Sequence, residues 1–170
     1  MRLLTFDLGK YTGWAAWDGK SSLPSHKMKT LVGWDYEPAA FLAFQRKWLG
    51  EMLKVHRPEV VAIERWYLPQ HGDGKTIAQQ IALSFFFQWA LRSAGIPFHI
   101  LQPNQWRKET FGKAVLNTGE DWKTKALNRV AARGIEGVTD HNEAEAILLM
   151  DWLATHYRFN LPWRTERLVA

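Results

Sequence analysis

The stretch Leu3-Leu4-Thr5-Phe6-Asp7-Leu8-Gly9 is a short hydrophobic run that ends at an aspartate. A second run, Val60-Val61-Ala62-Ile63, ends at Glu64 in the same way. Both have the length and bulk of strands, so each acid stands where a buried strand leaves a sheet. Carboxylates are rarely buried there unless paired or bound to a cation. A third acidic group, Asp140-His141-Asn142-Glu143-Ala144-Glu145, opens the last strongly apolar helix. Singly, each acid reads as a cap or half of an ion pair: Asp140 beside Thr139 as an N-cap, Glu64 beside Arg65 as a salt-bridge partner. Together, three islands on separate elements point to one metal-binding cleft.

Outward from these anchors the chain reads as alternating elements. Residues 2 to 8 form a strand, Lys10-Tyr11-Thr12-Gly13 a turn, and Trp14 to Trp17 a hairpin partner, with a third antiparallel strand around Met28 to Trp34. Pro38 opens a helix that Pro58 stops, and Glu59 to Glu64 is a strand covered on both faces. A polar connection, Arg65 to Gly74, leads to a helix from Lys75 to Ala94 closed by Gly95. Pro97 to Leu101 is a further strand. Helices follow over Pro103 to Thr110, Trp122 to Arg133 and Asp140 to Tyr157. The order predicts an α/β fold, a mixed sheet with helices on its faces, in which ligands gather at the carboxyl ends of strands. Residues 1–158 are expected to form one domain, and 159–170 a loosely ordered basic tail.

Composition narrows the function classes. A chain of 170 residues with 46% hydrophobic and 23% charged residues has the makings of one globular domain with a real core. There is no cysteine, so any metal must be held by oxygen or imidazole. The longest apolar stretch, Ile81 to Leu91, is far short of the roughly 20 residues of a membrane span, and the N-terminus is unlike a secretory signal. A cytoplasmic setting is therefore expected. The net charge of +5 supports a polyanionic partner. Ten tryptophans exceed what a core of this size needs.

Mg²⁺ and Mn²⁺ prefer carboxylate and water oxygens, and two such ions about 4 Å apart can stabilise both the attacking and the leaving oxygen of a phosphodiester. One carboxylate must bridge them rigidly, which suits Asp7, short and fixed on a central strand. These residues resemble the RuvC-like Holliday junction resolvases of the RNase H-like superfamily. Phe6-Asp7-Leu8-Gly9 with Thr12-Gly13-Trp14-Ala15 is similar to that family's first strand and hairpin. Ile63-Glu64-Arg65 resembles its Ile-Glu-Gln motif, Gln102 to Lys108 its Pro-x-x-Val-Lys segment, and Asp140 to Leu149 its last helix.

The resemblance implies an RNase H-like fold, with a mixed five-stranded sheet made of an antiparallel N-terminal hairpin plus parallel strands. It also implies two Mg²⁺ (or Mn²⁺) ions held by Asp7, Glu64 and the acids of the last helix, four-way DNA junctions as substrate, and a homodimer. The last motif admits two registers. Asp140 and Glu143 share a helix face and keep an acid-x-x-acid-Ala spacing, whereas Glu145 precedes the Ala146-Ile147-Leu148 run. Asp140 is the expected ligand in either register, and both glutamates stand as candidates for the second.

By the same resemblance Lys123 occupies the place of a catalytic basic residue, and Arg107 or Lys108 that of the lysine in the Pro-x-x-Val-Lys segment. Tyr67 stands where the family carries an aromatic wedge, and an aromatic there can stack on an unpaired base. Lys75, Lys123 and Lys125, with Arg129 and Arg133, form a basic set suited to phosphates, or an ordinary solvated face. On the helix from Lys75, the stripe Ile77, Ile81, Phe85 and Trp89 is expected to be mostly core, with a second apolar face available for dimerisation. Asp-Leu-Gly-x-x-x-Gly at residues 7 to 13 is similar to the phosphate loop of actin-like ATPases, but one domain cannot supply their two nucleotide-gripping halves, so no nucleotide cofactor is expected. Two rivals stay open: an RNase H-like nuclease acting on flaps, hybrids or RNA, and a catalytically silent module that binds branched DNA.

Overall fold

The structure is a computed structural model that describes residues 1–65, 74–111, 121–158 and 160–164. Five strands, β1 (Leu3–Asp7), β2 (Tyr11–Trp17), β3 (Ser25–Thr30), β4 (Val60–Glu64) and β5 (Phe98–Leu101), form one sheet in the order β3-β2-β1-β4-β5. β1 pairs antiparallel with β2 and parallel with β4, while β2–β3 is antiparallel and β4–β5 parallel. The mixed five-stranded sheet expected from the sequence is therefore present.

The period-2 geometry of strands assigns each side chain to a face. Leu4, Phe6, Val61 and Ile63 enter a core with α1 (Pro38–His56) and α2 (Gly74–Ser93). Leu3, Val60 and Ala62 enter the other core, built on α5 (His141–His156) with residues of α3 (Pro103–Phe111) and α4 (Trp122–Ala131). By the same parity Asp7 and Glu64 belong to the α5 face. The parallel register, which matches Phe6 with Ile63, brings the two acids level at the strand ends. Every residue of α5 from Glu143 to Ala154 is buried, as its nearly continuous apolar sequence requires.

Two close contacts seat α5 on the sheet. Thr5 Oγ1 donates to the carbonyl of Ala146 at 2.6 Å, binding the central strand to the helix just past Glu145. Gly13 faces Asp7 in the β1–β2 ladder, and a Cβ there would lie 1.9 Å from the carbonyl oxygen of Asn142. Only glycine lets the first turn of α5 approach β2 so closely.

Three expectations shift. The first reversal is tighter than Lys10 to Gly13, because β2 already begins at Tyr11; Thr12 Oγ1 donates to Gly9 O at 2.7 Å and secures it. The third strand is Ser25–Thr30, upstream of Met28 to Trp34. Its polar, lysine-bearing sequence suits a sheet edge, while Leu31 and Trp34 plug the core beside α1. Packing also continues past residue 158, since Leu161 and Trp163 are buried, with Trp17 and Trp163 meeting edge to face at 5.7 Å. The rest of the expected tail, 165–170, lies outside the described residues.

Candidate metal centre

Asp7, Glu64 and Glu145 each place one carboxylate oxygen within 4.8 Å of the others. They come from the ends of two adjacent parallel strands and the first turns of the helix laid across them. Like charges this close in a buried setting resist ionisation. Burial, then the charges of Glu64 and Glu145, hold the Asp7 carboxyl well above the usual range, and Arg107 opposes them. Glu64 is pushed up to about 8 by burial and by Glu145, against the pull of Arg107 and a hydrogen bond from Trp106.

The acids are held by donors of α3 and α4. The fully buried Trp106 donates its Nε1–H to Glu64 Oε2 at 3.0 Å. Trp122 donates its Nε1–H to Glu145 Oε1 at 2.5 Å. Arg107 Nη2 reaches both Glu145 Oε2, at 2.9 Å, and Glu64 Oε1, at 3.3 Å. The Arg107 guanidinium lies over the Trp122 ring at 4.5 Å and near that of Trp106 at 5.5 Å. Part of the tryptophan surplus thus serves as indole donors and stacking plates around the acids.

The other acids of the last motif go elsewhere. Asp140 is the N-cap of α5, its Oδ1 accepting from the Asn142 backbone N–H at 2.8 Å and from Asn142 Nδ2 at 3.0 Å. It stays close enough for its charge to raise Asp7. Glu143 Oε1 lies 2.6 Å from His26 Nδ1, which links edge strand β3 to the start of α5. Among the described residues, only Asp7, Glu64 and Glu145 form a three-acid cluster.

Of the expected basic groups, Lys75, Lys108 and Lys123 are exposed, and Lys123 adjoins Trp122 at the start of α4. Lys125 is buried, Arg129 lies over the Phe111 ring at 5.7 Å, and Arg133 pairs with Asp151 inside the fold. The expected basic face of this helix therefore turns largely inward, because Ala126 and Val130 fix the orientation of α4 against α5. Tyr67 lies outside the described residues. Sequence reasoning missed the indole donors and His26. The adjacent pair Trp106-Arg107, three residues into a helix that follows a strand, was the available signal.

An all-oxygen cluster of buried carboxylates, with no thiolate or converging imidazole, has the donor chemistry of a Mg²⁺ or Mn²⁺ site. The backbone fold matches solved structures. T. thermophilus RuvC in complex with a Holliday junction substrate superposes with a TM-score of 0.66 at 17% identity, over 92% of this chain and 96% of that one. The chain has the RuvC fold. A second Thermus thermophilus RuvC structure matches with a TM-score of 0.58 at 17% identity, over 93% of this chain and 97% of that one. The yeast mitochondrial Holliday junction resolvase Ydc2 matches with a TM-score of 0.58 at 16% identity, over 92% of this chain and 82% of that one. No protein-family model and no curated protein sequence matches the chain. Likeness to RuvC is thus carried by backbone architecture. Among the described residues no helix is long and apolar enough to cross a membrane.

Proposed function

We propose that this protein is a metal-dependent endonuclease of the RuvC type that resolves four-way DNA junctions by paired nicks. The observation that carries the reading is the meeting of Asp7, Glu64 and Glu145 within 4.8 Å at the strand ends of a RuvC fold. One of the solved structures sharing that fold holds a Holliday junction substrate. Asp7, Glu64 and Glu145 would hold two divalent ions, with Asp140 at the margin of the cluster. Bound there, the ions supply Lewis-acid stabilisation of the phosphate oxygens and a water nucleophile active near neutral pH.

The chain's own groups do the rest. Trp106 and Trp122 fix the rotamers of Glu64 and Glu145, so the ligand oxygens are oriented before substrate arrives. Lys123, exposed beside Trp122, balances charge on the scissile phosphate. Lys75 and Lys108, also exposed, extend the electrostatic footprint, and Tyr67 on the connection after β4 stacks on a base at the junction. Glu143 serves as a structural partner of His26 in this reading, leaving Glu145 as the ligand.

Paired nicks need two centres, which a homodimer provides. Phe85 and Trp89, one helical turn apart on α2, are 64% and 62% exposed, while Leu83, Phe87 and Leu91 face the core. The stripe expected to be mostly core is not: Ile77 and Ile81 are only half-buried and Phe85 and Trp89 are exposed, because Leu83, Phe87 and Leu91 form the face of α2 that meets the sheet. The exposed pair suits a second copy.

Cleavage of labelled four-way junction, flap, linear duplex and RNA–DNA hybrid by wild type and Asp7→Asn, with Mg²⁺, Mn²⁺ or EDTA, tests the reading. Symmetric nicks confined to the junction and lost in the variant are expected. Preference for flaps or hybrids would replace junction resolution with a broader nuclease, and metal-independent binding without cutting would leave a silent branched-DNA module.

A further inference from the structure

Arg107 holds a place that the proposed reaction does not explain. Its Nη2 alone contacts both Glu145 and Glu64, at 2.9 and 3.3 Å, so the guanidinium sits in the cluster instead of forming a two-pronged pair with either acid. Its Nε is buried and has no hydrogen-bond partner among the described residues. What steadies the group is the stacking on Trp122 and Trp106. Guanidinium cannot lose its charge in a protein, so it supplies a permanent positive centre at any working pH. A single cation set among three carboxylates does electrostatically part of what a divalent ion does.

We propose that Arg107 is a built-in stand-in cation: it fills the carboxylate cluster in the metal-free protein and withdraws from Glu64 and Glu145 as divalent ions enter. The inference rests on the metal-centre reading given above and adds a coupling to it. Metal loading and displacement of Arg107 are one event, and each opposes the other by the same factor. The arginine keeps the repelling acids assembled without metal, and it sets a threshold that the ion must overcome. The unpaired Nε and the single-nitrogen contact make its seat one the side chain can leave, since no full set of hydrogen bonds is broken.

The test titrates Mn²⁺ by calorimetry into metal-stripped full-length wild type, Arg107→Gln and Arg107→Lys, and melts each with and without the ion. Arg107→Gln is expected to bind Mn²⁺ about tenfold more tightly than wild type, within the usual range of coupling between sites. It should also melt lower without metal and gain more on metal addition, while Arg107→Lys, which keeps the charge, stays near wild type. A variant that folds only with Mn²⁺ present is the same result in stronger form. Equal or weaker binding by Arg107→Gln overturns the inference while leaving the metal centre in place. If neither protein binds Mn²⁺, the metal-centre reading fails and the inference with it. Wild type labelled with ¹⁵N gives a direct check: the arginine Nε–H resonance missing from the Arg107→Gln spectrum should move as Mg²⁺ is added. A resonance that stays fixed while Mg²⁺ binds also overturns the proposal.

Discussion

Gly13 stands opposite Asp7 in the β1–β2 ladder and directly beneath the carbonyl of Asn142, so one missing side chain sets the distance between the first strand pair and the helix bearing Glu145. Backbone lies 1.9 Å from any added Cβ, and backbone cannot rotate aside. Gly13→Ala is expected to cost about 1–3 kcal/mol, as overpacking of a tight core does. Because a displacement near 1 Å can lower a rate about a hundredfold, cleavage should fall more than the loss of stability alone explains. Melting temperature and junction cleavage, measured below the melting transition, check this. Unchanged melting would show that α5 is not seated on Gly13.

Glu145 and Glu143 are two residues apart, yet the structure gives them different partners. Glu145→Gln is therefore expected to reduce cleavage by at least about a hundredfold, as Asp7→Asn should, with junction binding retained in both. Glu143→Gln weakens the contact with His26 and should cost about 1–3 kcal/mol of stability with cleavage within about tenfold of wild type. Single-turnover rates under saturating Mg²⁺ separate the two residues. Equal loss in both variants would make Glu143 a ligand as well.

Glu64 titrates near 8 in the folded, metal-free protein, far above an exposed glutamate, so the native state binds more protons than the unfolded chain from about pH 4.5 to 8. The contribution to stability is thus largest at the acid end, declines as pH rises through about 8, and is flat above. Metal-free protein should lose on the order of a few kcal/mol across that window. Saturating Mg²⁺ needs the ionised carboxylate and should flatten or reverse the decline. Chemical denaturation from pH 5.5 to 9, with and without Mg²⁺, reads this out, and Glu64→Gln should remove much of the slope.

Phe85 and Trp89 present a two-residue apolar patch on α2 that the chain's own core does not cover. Phe85→Ser with Trp89→Ser should shift a dimer to monomer in sedimentation at micromolar concentration while leaving the fold intact by circular dichroism. A wild-type monomer would remove the proposed basis for paired nicks.

Much of the architecture was legible because apolar runs, turn residues and acidic strand ends are local signals. The runs ending in Asp7 and Glu64 placed both acids at strand ends, where the structure brings them together with Glu145. The choice between Glu143 and Glu145 was not legible, since both lie in the same helical turn and only the positions of His26, Arg107 and Trp122 distinguish their environments. The orientation of α4 was hidden for a similar reason. Its lysines and arginines read as a solvated face until Ala126 and Val130 are packed on α5, which turns Lys125 inward. The third strand was misplaced because a polar edge strand, Ser25–Thr30, carries a weaker hydrophobic signal than the core plug that follows it.

Asp7 and Glu145 lie far apart in sequence yet share one cluster, which bears on how the protein is made. On the ribosome, where residues are added at roughly 5–20 per second, the hairpin and most of the sheet can form long before α5 emerges. Until it does, the nascent chain lacks both Glu145 and the helix that buries the acids, and cannot assemble the cluster. On the proposed reading, metal loading therefore waits for α5 to emerge. Truncation before residue 140 should yield only inert fragments, without any separate inhibitor.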